Sequence, residues 1–457
     1  RTIIPKRFTD GYGVSSKLLE GVQNSLIITV DNGISAGDVL DQAVNEGSNI
    51  VVVLDHHLPD GRQPKCADVI VDPHLAPESN GFTEYCGAGL SYKLAEYMLS
   101  GEPLSAAQKV LNDIQVLACF GTIADSMPLI GDNRRIVMDA ISLINSGRAV
   151  LSKGIARLLS IGGADGTFDV DTVAYAIAPL INAPGRLYNA GGTSVLKMLM
   201  CDNEAEAMTY GTKMVAINKS RQAKVREWMK TIQDKLSDGP DIGKNPIVVF
   251  EPDMPEGLVG LVAGKLSESY HLPSIVMVRP SEGMVKGSVR TYGQFNVKDM
   301  LDSMQELFTS YGGHAGAGGI SLPEENIGDL QTRAAEYYNR VSDTCGGEYV
   351  QYDVELRPED VPEALETIKK FQPFGNGVPK PVCRINGIPA DNNFLMGADK
   401  SHIKFACPGF AAVAFGMAEK YSKLGSPGTI DVVGTIGENS FQGRTSTQVI
   451  LSDFRAH

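Results

Sequence analysis

Residues 50–57 place three side chains with metal-binding and acid–base chemistry at the end of an apolar run. Ile50–Leu54 has the β-branched composition of a short buried strand, and Asp55, His56 and His57 follow it directly. Ligands bind at the carboxyl ends of strands in parallel α/β sheets, and one carboxylate with two imidazoles suits a divalent metal. The alternative is an aspartate that caps the next helix beside two incidental histidines.

Two further apolar runs also end in aspartate. Leu26–Val30 precedes Asp31, and Val69–Val71 precedes Asp72. Residues 34–49 are long enough for one helix, so the pattern predicts a βαβ unit with parallel strands. Asp31 and Asp55 then reach one rim of one sheet, where repulsion and desolvation penalise neighbouring carboxylates. A divalent cation would offset that penalty, which favours a metal site over a simple helix cap.

Asp125 comes from a segment far along the chain from these strands. Residues 114–123 are nearly all apolar, which predicts a buried helix, and Pro128 predicts that the helix ends just before it. Asp125 would then lie at the carboxyl end of a helix, where the helix dipole disfavours a carboxylate. A residue placed against its local preference is a candidate functional residue.

The composition limits the class of protein. A chain of 457 residues suggests roughly two to four domains, and its 43% hydrophobic and 21% charged content is ordinary for a globular protein. Its apolar runs are shorter than the roughly 20 residues of a membrane-spanning helix, and no signal peptide is visible. Seven cysteines are scattered without a C-x-x-C pair, so we expect reduced thiols and a cytoplasmic protein.

One predicted helix is basic although the net charge of the chain is −13. Residues 203–236 predict a long helix whose packed face includes Met208, Val225 and Met229. Across residues 213–235, lysines and arginines clearly outnumber acidic side chains, as in a stripe that binds phosphates. Arg221, Lys224 and Arg226 are the candidate DNA contacts on this stripe. The alternative is a solvated connecting helix.

The second half of the sequence contains elements suited to substrate binding. Residues 312–319 hold five glycines around His314, and such a loop lets backbone N–H groups approach phosphates closely. Arg290 lies on a predicted strand nearby. Residues 403–451 alternate in the manner of short barrel strands, and small oligonucleotide-binding barrels bind single strands by stacking and charge. Lys404 is a candidate contact on that barrel.

The ordered motifs resemble the DHH phosphoesterase superfamily, and within it the RecJ-type single-strand-specific exonucleases. The resemblance rests on 30–33, 55–57 and 124–129, on the Arg186-containing segment 181–187, on 287–291, on 312–319 and on 374–381. It implies an α/β protein of four parts. These are a parallel-sheet DHH domain at 1–200, a connecting helix at 201–237, a smaller α/β DHH-associated domain at 238–342 and an OB-type β-barrel at 343–457.

The resemblance also implies roles for individual residues. Two Mn²⁺ or Mg²⁺ ions are expected, with Asp31 bridging them and with His56 and Asp125 completing the second ion. His57 would contact the scissile phosphate, and Asp55 would orient the neighbouring imidazole. The expected substrate-binding residues are Arg186, Arg290, Gly312, Gly313, His314 and Gly316.

The implied activity is 5′→3′ hydrolysis of single-stranded DNA to mononucleotides in DNA repair and recombination. We expect a monomer without a membrane partner, and a single-strand-binding protein and a helicase are candidate partners. The family's first motif, an Asp-x-Asp pair, has no counterpart here, and we expect it to precede Arg1. Met254 and Pro255 replace the family's usual Trp-His pair. Two alternatives stay open, namely a DHH enzyme for short oligoribonucleotides or cyclic dinucleotides, and a non-catalytic DNA-binding scaffold.

Overall fold

The computed structural model describes all residues except 7, 12, 164–166, 238–244, 343–349, 398 and 442–443. The predicted domain boundaries at 238 and 343 therefore fall on residues outside the described part. None of the helices in the described ranges is both long and apolar enough to cross a membrane. The six cysteines that are described carry no disulfide.

The first region combines a small parallel sheet with many helices. Its strands are β1 (Leu26–Val30), β2 (Ile50–Leu54) and β3 (Val69–Val71), paired in parallel in that order. Its helices are α1 (Ser16–Leu19), α2 (Gly37–Gly47), α3 (Pro77–Asn80), α4 (Gly87–Leu99), α5 (Leu104–Ala124), α6 (Gly131–Asn145), α7 (Lys153–Gly162), α8 (Val170–Thr172), α9 (Ala178–Leu187) and α10 (Gly191–Leu199). The predicted βαβ unit is confirmed.

The sheet of this region is covered on one face. Leu40 of α2 packs against Val51 and Val53, and all three side chains are fully buried. Leu26 and Ile28 on β1 are exposed instead. The buried strand predicted for residues 50–54 is confirmed at Val51, Val53 and Leu54, whereas its first residue, Ile50, is 54% exposed.

A single helix, α11 (Glu204–Ser237), follows as predicted. Val225, Met229 and Ile232 are buried against the next region, whereas Met208 is exposed. The packed face of the helix therefore includes Met214 rather than Met208 in its first half.

The third region is a mixed sheet with helices against it. Its strands are β4 (Ile247–Phe250), β5 (Ser274–Ser281), β6 (Met284–Arg290), β7 (Ser310–His314) and β8 (Ala317–Pro323), in the order β4-β5-β6-β8-β7. Helices α12 (Val259–Tyr270), α13 (Val297–Asp302) and α14 (Ile327–Val341) complete it. The glycines at 312–319 form the β7–β8 hairpin and not the predicted open loop, because most of them pair in the ladder.

The last region is a curved, mostly antiparallel sheet. Its strands are β9 (Val354–Leu356), β10 (Val382–Pro389), β11 (Asn393–Met396), β12 (His402–Cys407), β13 (Phe410–Ala414), β14 (Thr429–Phe441) and β15 (Arg444–Ala456). Helices α15 (Val361–Lys369) and α16 (Ala418–Lys423) accompany them. Edge-to-face contacts among Phe405, Tyr421 and Phe454 fill the interior, as the predicted barrel requires.

Candidate metal centre and nucleic-acid interface

The strand ends bring Asp31 and Asp55 together as predicted. Val30 is in register with Leu54, and the Asp31 N–H continues the ladder by donating to the Leu54 carbonyl at 2.9 Å. The Asp55 N–H in turn donates to the Val71 carbonyl of β3 at 3.0 Å. Both aspartates therefore leave the same rim of the sheet from adjacent strands.

Asp55 is a buried anchor and not an open ligand. Its side chain is 1% exposed and accepts hydrogen bonds from the Ile34 N–H at 2.9 Å and the His56 N–H at 2.8 Å. Its Oδ1 also lies 2.7 Å from His57 Nδ1. Burial alone would raise the pKa of Asp55, but the hydrogen bonds from His57, Ile34 and His56 outweigh it and lower the pKa. The Asp55 carboxylate thus holds the His57 ring through Nδ1, and Nε2 is the ring nitrogen that Asp55 does not contact.

His56 lies between two carboxylates from different parts of the chain. Its Nε2 is 3.1 Å from Asp31 Oδ1 and 3.4 Å from Asp125 Oδ2. The His56 ring is 11% exposed, whereas the Asp31 and Asp125 side chains are 60% and 51% exposed. Donor atoms of Asp31, His56 and His57 also lie within 4.8 Å of one another. The donors therefore converge from a buried wall toward an open side.

The electrostatics of this cluster are those of a site for a cation. Burial would lower the pKa of His56, but the carboxylates of Asp31 and Asp125 outweigh it and raise the pKa. Burial raises the pKa of Asp125. The charge of Asp31 adds to this increase, and His56 partly opposes it. Oxygen and imidazole donors suit Mn²⁺ or Mg²⁺, and a divalent ion would relieve the repulsion between the carboxylates. The donor set therefore fits the expected metal.

Asp125 reaches the cluster from the end of α5. Its N–H donates to the Gly121 carbonyl at 2.9 Å, so it caps the helix, as the sequence pattern predicted. Ser126 follows with a φ of 57°, a left-handed conformation that is uncommon for a residue with a side chain. Such a conformation persists only where surrounding contacts hold it.

Gly87 is a residue of the site that the sequence reasoning missed. It is the first residue of α4, and a Cβ built on it would lie 2.5 Å from Asp31 Cβ and 2.6 Å from Asp31 Oδ1. The amino end of a helix therefore abuts the Asp31 carboxylate, and the helix dipole favours a negative charge there. The Gly-x-Gly pattern of 87–89 at a helix start was the available signal.

Asp72 is not part of the cluster although it also ends a strand. Its Oδ1 accepts from the His74 N–H at 2.9 Å, so it caps the short 3₁₀ turn Pro73–Leu75. Burial raises the pKa of Asp72. The simple capping interpretation applies to this third aspartate.

Arg186 and Arg290 both contact the segment that leads into α12. Arg186 Nη1 donates to the Gly257 carbonyl at 3.4 Å, and a Cβ on Gly260 would lie 2.8 Å from Arg290 Nη2. Both guanidinium groups therefore lie next to residues 257–260, at the start of α12. Burial lowers the pKa of Arg290, whose Nη1 donates to Ser288 Oγ at 2.7 Å.

Arg290 and His314 share one row of the sheet. Arg290 is in register with Ala317 on β8, and Ala317 is in register with His314 on β7. Paired residues of antiparallel strands point to the same face, so the two cationic or donor side chains flank a small residue. The next row on the same face is Ser288, Gly319 and Gly312, and a Cβ on either glycine would meet nothing within 4 Å. The result is a flat, open floor beside Arg290.

The basic helix presents most of its cations to solvent. Lys224 and Arg226 are exposed, while Arg221 is half-buried, and burial lowers its pKa. Lys235 is committed to an ion pair with Glu251 at 2.6 Å. Of the predicted stripe, residues 213–230 are thus the part open to a ligand.

Lys404 lies on the outer surface of the barrel in a mixed apolar and basic row. It is in register with Phe394 on β11 and with Val413 on β13. Phe394 and nearby Phe415 are both more than half exposed. Exposed aromatic rings beside a lysine are the groups with which small barrels stack bases and contact phosphates.

Three family models match separate parts of the chain. The DHH family N-terminal domain matches residues 1–122, the DHHA1 domain matches 243–340 and the RecJ OB domain matches 352–453. Their order agrees with that of the first, third and last regions described above.

Curated relatives extend the likeness over nearly the whole chain. It is 29% identical to the single-stranded-DNA-specific exonuclease RecJ of Bacillus subtilis, over 98% of this chain and 57% of that protein. It is also 29% identical to RecJ of Escherichia coli, over 83% of this chain and 68% of that protein. The chain thus spans little more than half the length of the Bacillus relative.

Solved RecJ structures resemble this chain over most of its length. The crystal structure of Thermus thermophilus RecJ with Mn²⁺ has a TM-score of 0.77 and 27% identity, covering 94% of this chain and 62% of that one. A second manganese-bound exonuclease RecJ structure has a TM-score of 0.58 and 29% identity, over 74% of this chain and 82% of that one. Together with the three domain matches, these likenesses show that the chain is a RecJ-type member of the DHH superfamily.

Proposed function

We propose that this chain is the catalytic and DNA-binding part of a metal-dependent exonuclease that hydrolyses single-stranded DNA from its 5′ end to mononucleotides. The observation that carries the proposal is His56 Nε2 held between Asp31 and Asp125, beside a His57 ring anchored by Asp55. The names of the relatives support single-stranded DNA as the substrate.

Asp31, His56 and Asp125 would hold divalent ions, Mn²⁺ or Mg²⁺, and the RecJ structures from Thermus thermophilus in complex with these ions support that choice. When bound, such ions polarise a phosphodiester and lower the pKa of a coordinated water. In the hydrolysis, the oxygen of one water would form the new bond to phosphorus and the P–O3′ bond would break, with the proton given up by the water balancing the one taken by the leaving O3′. His57 contributes through Nε2, because Nδ1 is occupied by Asp55. The hydrogen bond that His57 donates to Asp55 raises the pKa of His57, which favours donation from the ring to a phosphate oxygen.

Arg290, His314 and the glycine floor would receive the DNA terminus. The half-buried guanidinium keeps Nη2 next to the start of α12, where backbone N–H groups also favour a phosphate. Gly312 and Gly316, where a Cβ would meet nothing within 4 Å, leave the surface flat so that a sugar–phosphate can lie close to the backbone. Gly313 lies in the row that faces the other way, so it would contribute through the backbone of the hairpin. Arg186, which contacts the Gly257 carbonyl, would bind the adjoining phosphates.

Single-stranded DNA beyond the terminus would contact the helix cations and the barrel. Arg221, Lys224 and Arg226 supply charge, and Lys404 with Phe394 supplies a phosphate contact beside a stacking surface. We assign the domains as 1–200, 201–237, 238–342 and 343–457. We further propose a cytoplasmic monomer in DNA repair and recombination, with a single-strand-binding protein and a helicase as partners.

The test uses single-stranded DNA labelled at one end and protein with its native N-terminus. We expect Mn²⁺-dependent release of labelled mononucleotides from the 5′ end, abolished by a chelator. Asp125→Ala is the inactive control. Equal activity on duplex DNA, or release from 3′ ends alone, would contradict the strand and polarity assignments. Faster cleavage of a short oligoribonucleotide or a cyclic dinucleotide would favour the small-substrate alternative.

A further inference from the structure

A segment of the last region lies against the loop that carries Asp125. Residues 371–380, here called the docking segment, connect α15 to β10 and leave the barrel to reach the first region. The guanidinium of Arg134 on α6 donates to the carbonyls of Phe371 at 2.7 Å and Pro373 at 2.8 Å. Lys380 pairs with Asp171 at 2.6 Å. Both ends of the docking segment are therefore tied to the first region.

Asn376 forms the centre of this contact. Its side-chain amide donates to the Ser126 carbonyl, and its own carbonyl accepts from the Leu129 N–H at 2.7 Å. These bonds clamp both ends of the short loop that follows Asp125. Ser126, with its left-handed φ of 57°, ends α5 through a Schellman-type pair of bonds, from the Ser126 N–H to the Ile123 carbonyl and from the Met127 N–H to the Thr122 carbonyl. The bond from Asn376 to the Ser126 carbonyl therefore adds a fixed point outside the helix to a loop whose start is already defined.

Close packing reinforces the two hydrogen bonds. A Cβ on Gly375 would lie 2.6 Å from Leu129 Cδ1, and a Cβ on Gly377 would lie 3.1 Å from Pro128 Cβ. Leu129 is 1% exposed. The loop after Asp125 is therefore held by residues 250 positions further along the chain, and it has little room to shift.

We propose that Asn376 is a positioning residue for the metal centre, through which the docking segment holds Asp125 in the orientation that binds the ion. The proposal rests on the function proposed above, in which Asp125 is a metal ligand. It makes the metal centre dependent on the barrel region, although the proposed ligands Asp31, His56 and Asp125 all lie in the first region. Loss of a group that orients a metal ligand typically weakens metal binding about 10- to 100-fold.

The test measures Mn²⁺ affinity directly, from the electron paramagnetic resonance signal of free Mn²⁺ titrated with the whole chain. Asn376→Ala removes the bond to Ser126, and Gly375→Ala pushes the docking segment away from Leu129. The matched controls are Asn439→Ala, at another exposed asparagine of the barrel, and Gly437→Ala, where a Cβ would meet nothing within 4 Å. We expect both test variants to bind Mn²⁺ at least about tenfold more weakly than the controls.

Unfolding temperature and circular dichroism of the metal-free proteins separate positioning from folding. One exposed hydrogen bond contributes only about 0.5–1.5 kcal/mol, so Asn376→Ala should stay folded at 25 °C. Unchanged Mn²⁺ affinity in Asn376→Ala and Gly375→Ala would overturn the inference, and so would unfolding of Asn376→Ala. Failure of the proposed function has a different signature, namely no Mn²⁺ binding by the unmodified chain, or equal binding by Asp125→Ala.

Discussion

Replacing Gly87 with alanine should weaken divalent-metal binding, because Gly87 lies directly against a proposed ligand. The new Cβ would be 2.5 Å from Asp31 Cβ, 2.6 Å from Oδ1 and 2.8 Å from Cγ. Carbon atoms in contact normally lie about 3.5–4.0 Å apart, so one partner must move by about 1 Å. Gly87 is fixed at the start of α4, and the Asp31 side chain is exposed, so we expect the Asp31 carboxylate to move.

A shift of this size is large for a metal site. Ligand distances are held to within about 0.2 Å, so a displacement of about 1 Å takes the carboxylate out of bonding range. Returning the Asp31 carboxylate to bonding distance would press it against the new Cβ, and such overpacking costs about 1–3 kcal/mol. The corresponding loss of Mn²⁺ affinity is about 5- to 150-fold, since about 1.4 kcal/mol corresponds to a factor of ten.

Isothermal titration of the chain with Mn²⁺ measures this loss. Gly264→Ala is the matched control, because Gly264 lies within α12 and a Cβ there would meet nothing within 4 Å. The control should bind Mn²⁺ like the unmodified chain. Unchanged Mn²⁺ affinity in folded Gly87→Ala would refute the assignment of Asp31 as a ligand held against α4.

Three further changes test other parts of the account. Asp125→Ala should abolish Mn²⁺-dependent nucleotide release but leave affinity for single-stranded DNA intact in a filter-binding assay; surviving turnover would show that Asp125 is not a ligand. Exchanging Arg221, Lys224 and Arg226 for Gln should reduce the slope of log affinity against log salt by about 2, at about 0.7 per phosphate contact. An unchanged slope would show that these three side chains do not contact DNA phosphates. Asp431→Asn should lower the unfolding temperature of the barrel at pH 7.

The physical reason for the Asp431 effect fixes its pH dependence. Burial alone would raise the pKa of Asp431, but hydrogen bonds from His457, Arg455 and the Gly387 N–H outweigh it and lower the pKa. A lowered folded pKa gives stability that is present above the unfolded pKa and is lost as pH falls through the folded one. The difference between Asp431→Asn and the unmodified chain should therefore shrink in acid, as followed by thermal unfolding at several pH values. A constant difference would contradict this linkage.

The site elements that obey local rules could be predicted from the sequence. Asp31 and Asp55 follow strands whose parallel pairing places them on one rim, and Pro128 limits the helix that ends at Asp125. The family resemblance implied that Asp31 and Asp125 meet at His56. Local sequence patterns could not predict this contact, because Asp125 lies at the end of α5, which reaches the sheet only through tertiary packing.

Other features depended on packing that no local pattern encodes. The glycines around His314 read as a loop, yet they pair as the β7–β8 hairpin because ladder hydrogen bonds satisfy their backbone groups. Gly87 matters through its contact with Asp31, and Asn376 through its bonds to Ser126 and Leu129, all residues far away along the chain. Such pairings have no period in the sequence, so spacing could not reveal them.

Anomalous diffraction from crystals of this chain soaked in Mn²⁺ tests the central claim most directly. We expect a manganese peak within bonding distance of the carboxylates of Asp31 and Asp125 and of His56 Nε2. The same soak of an Asp125→Ala crystal should show the peak weakened or lost. A manganese peak that is absent from this cluster, or that lies at another group of residues, would contradict the account.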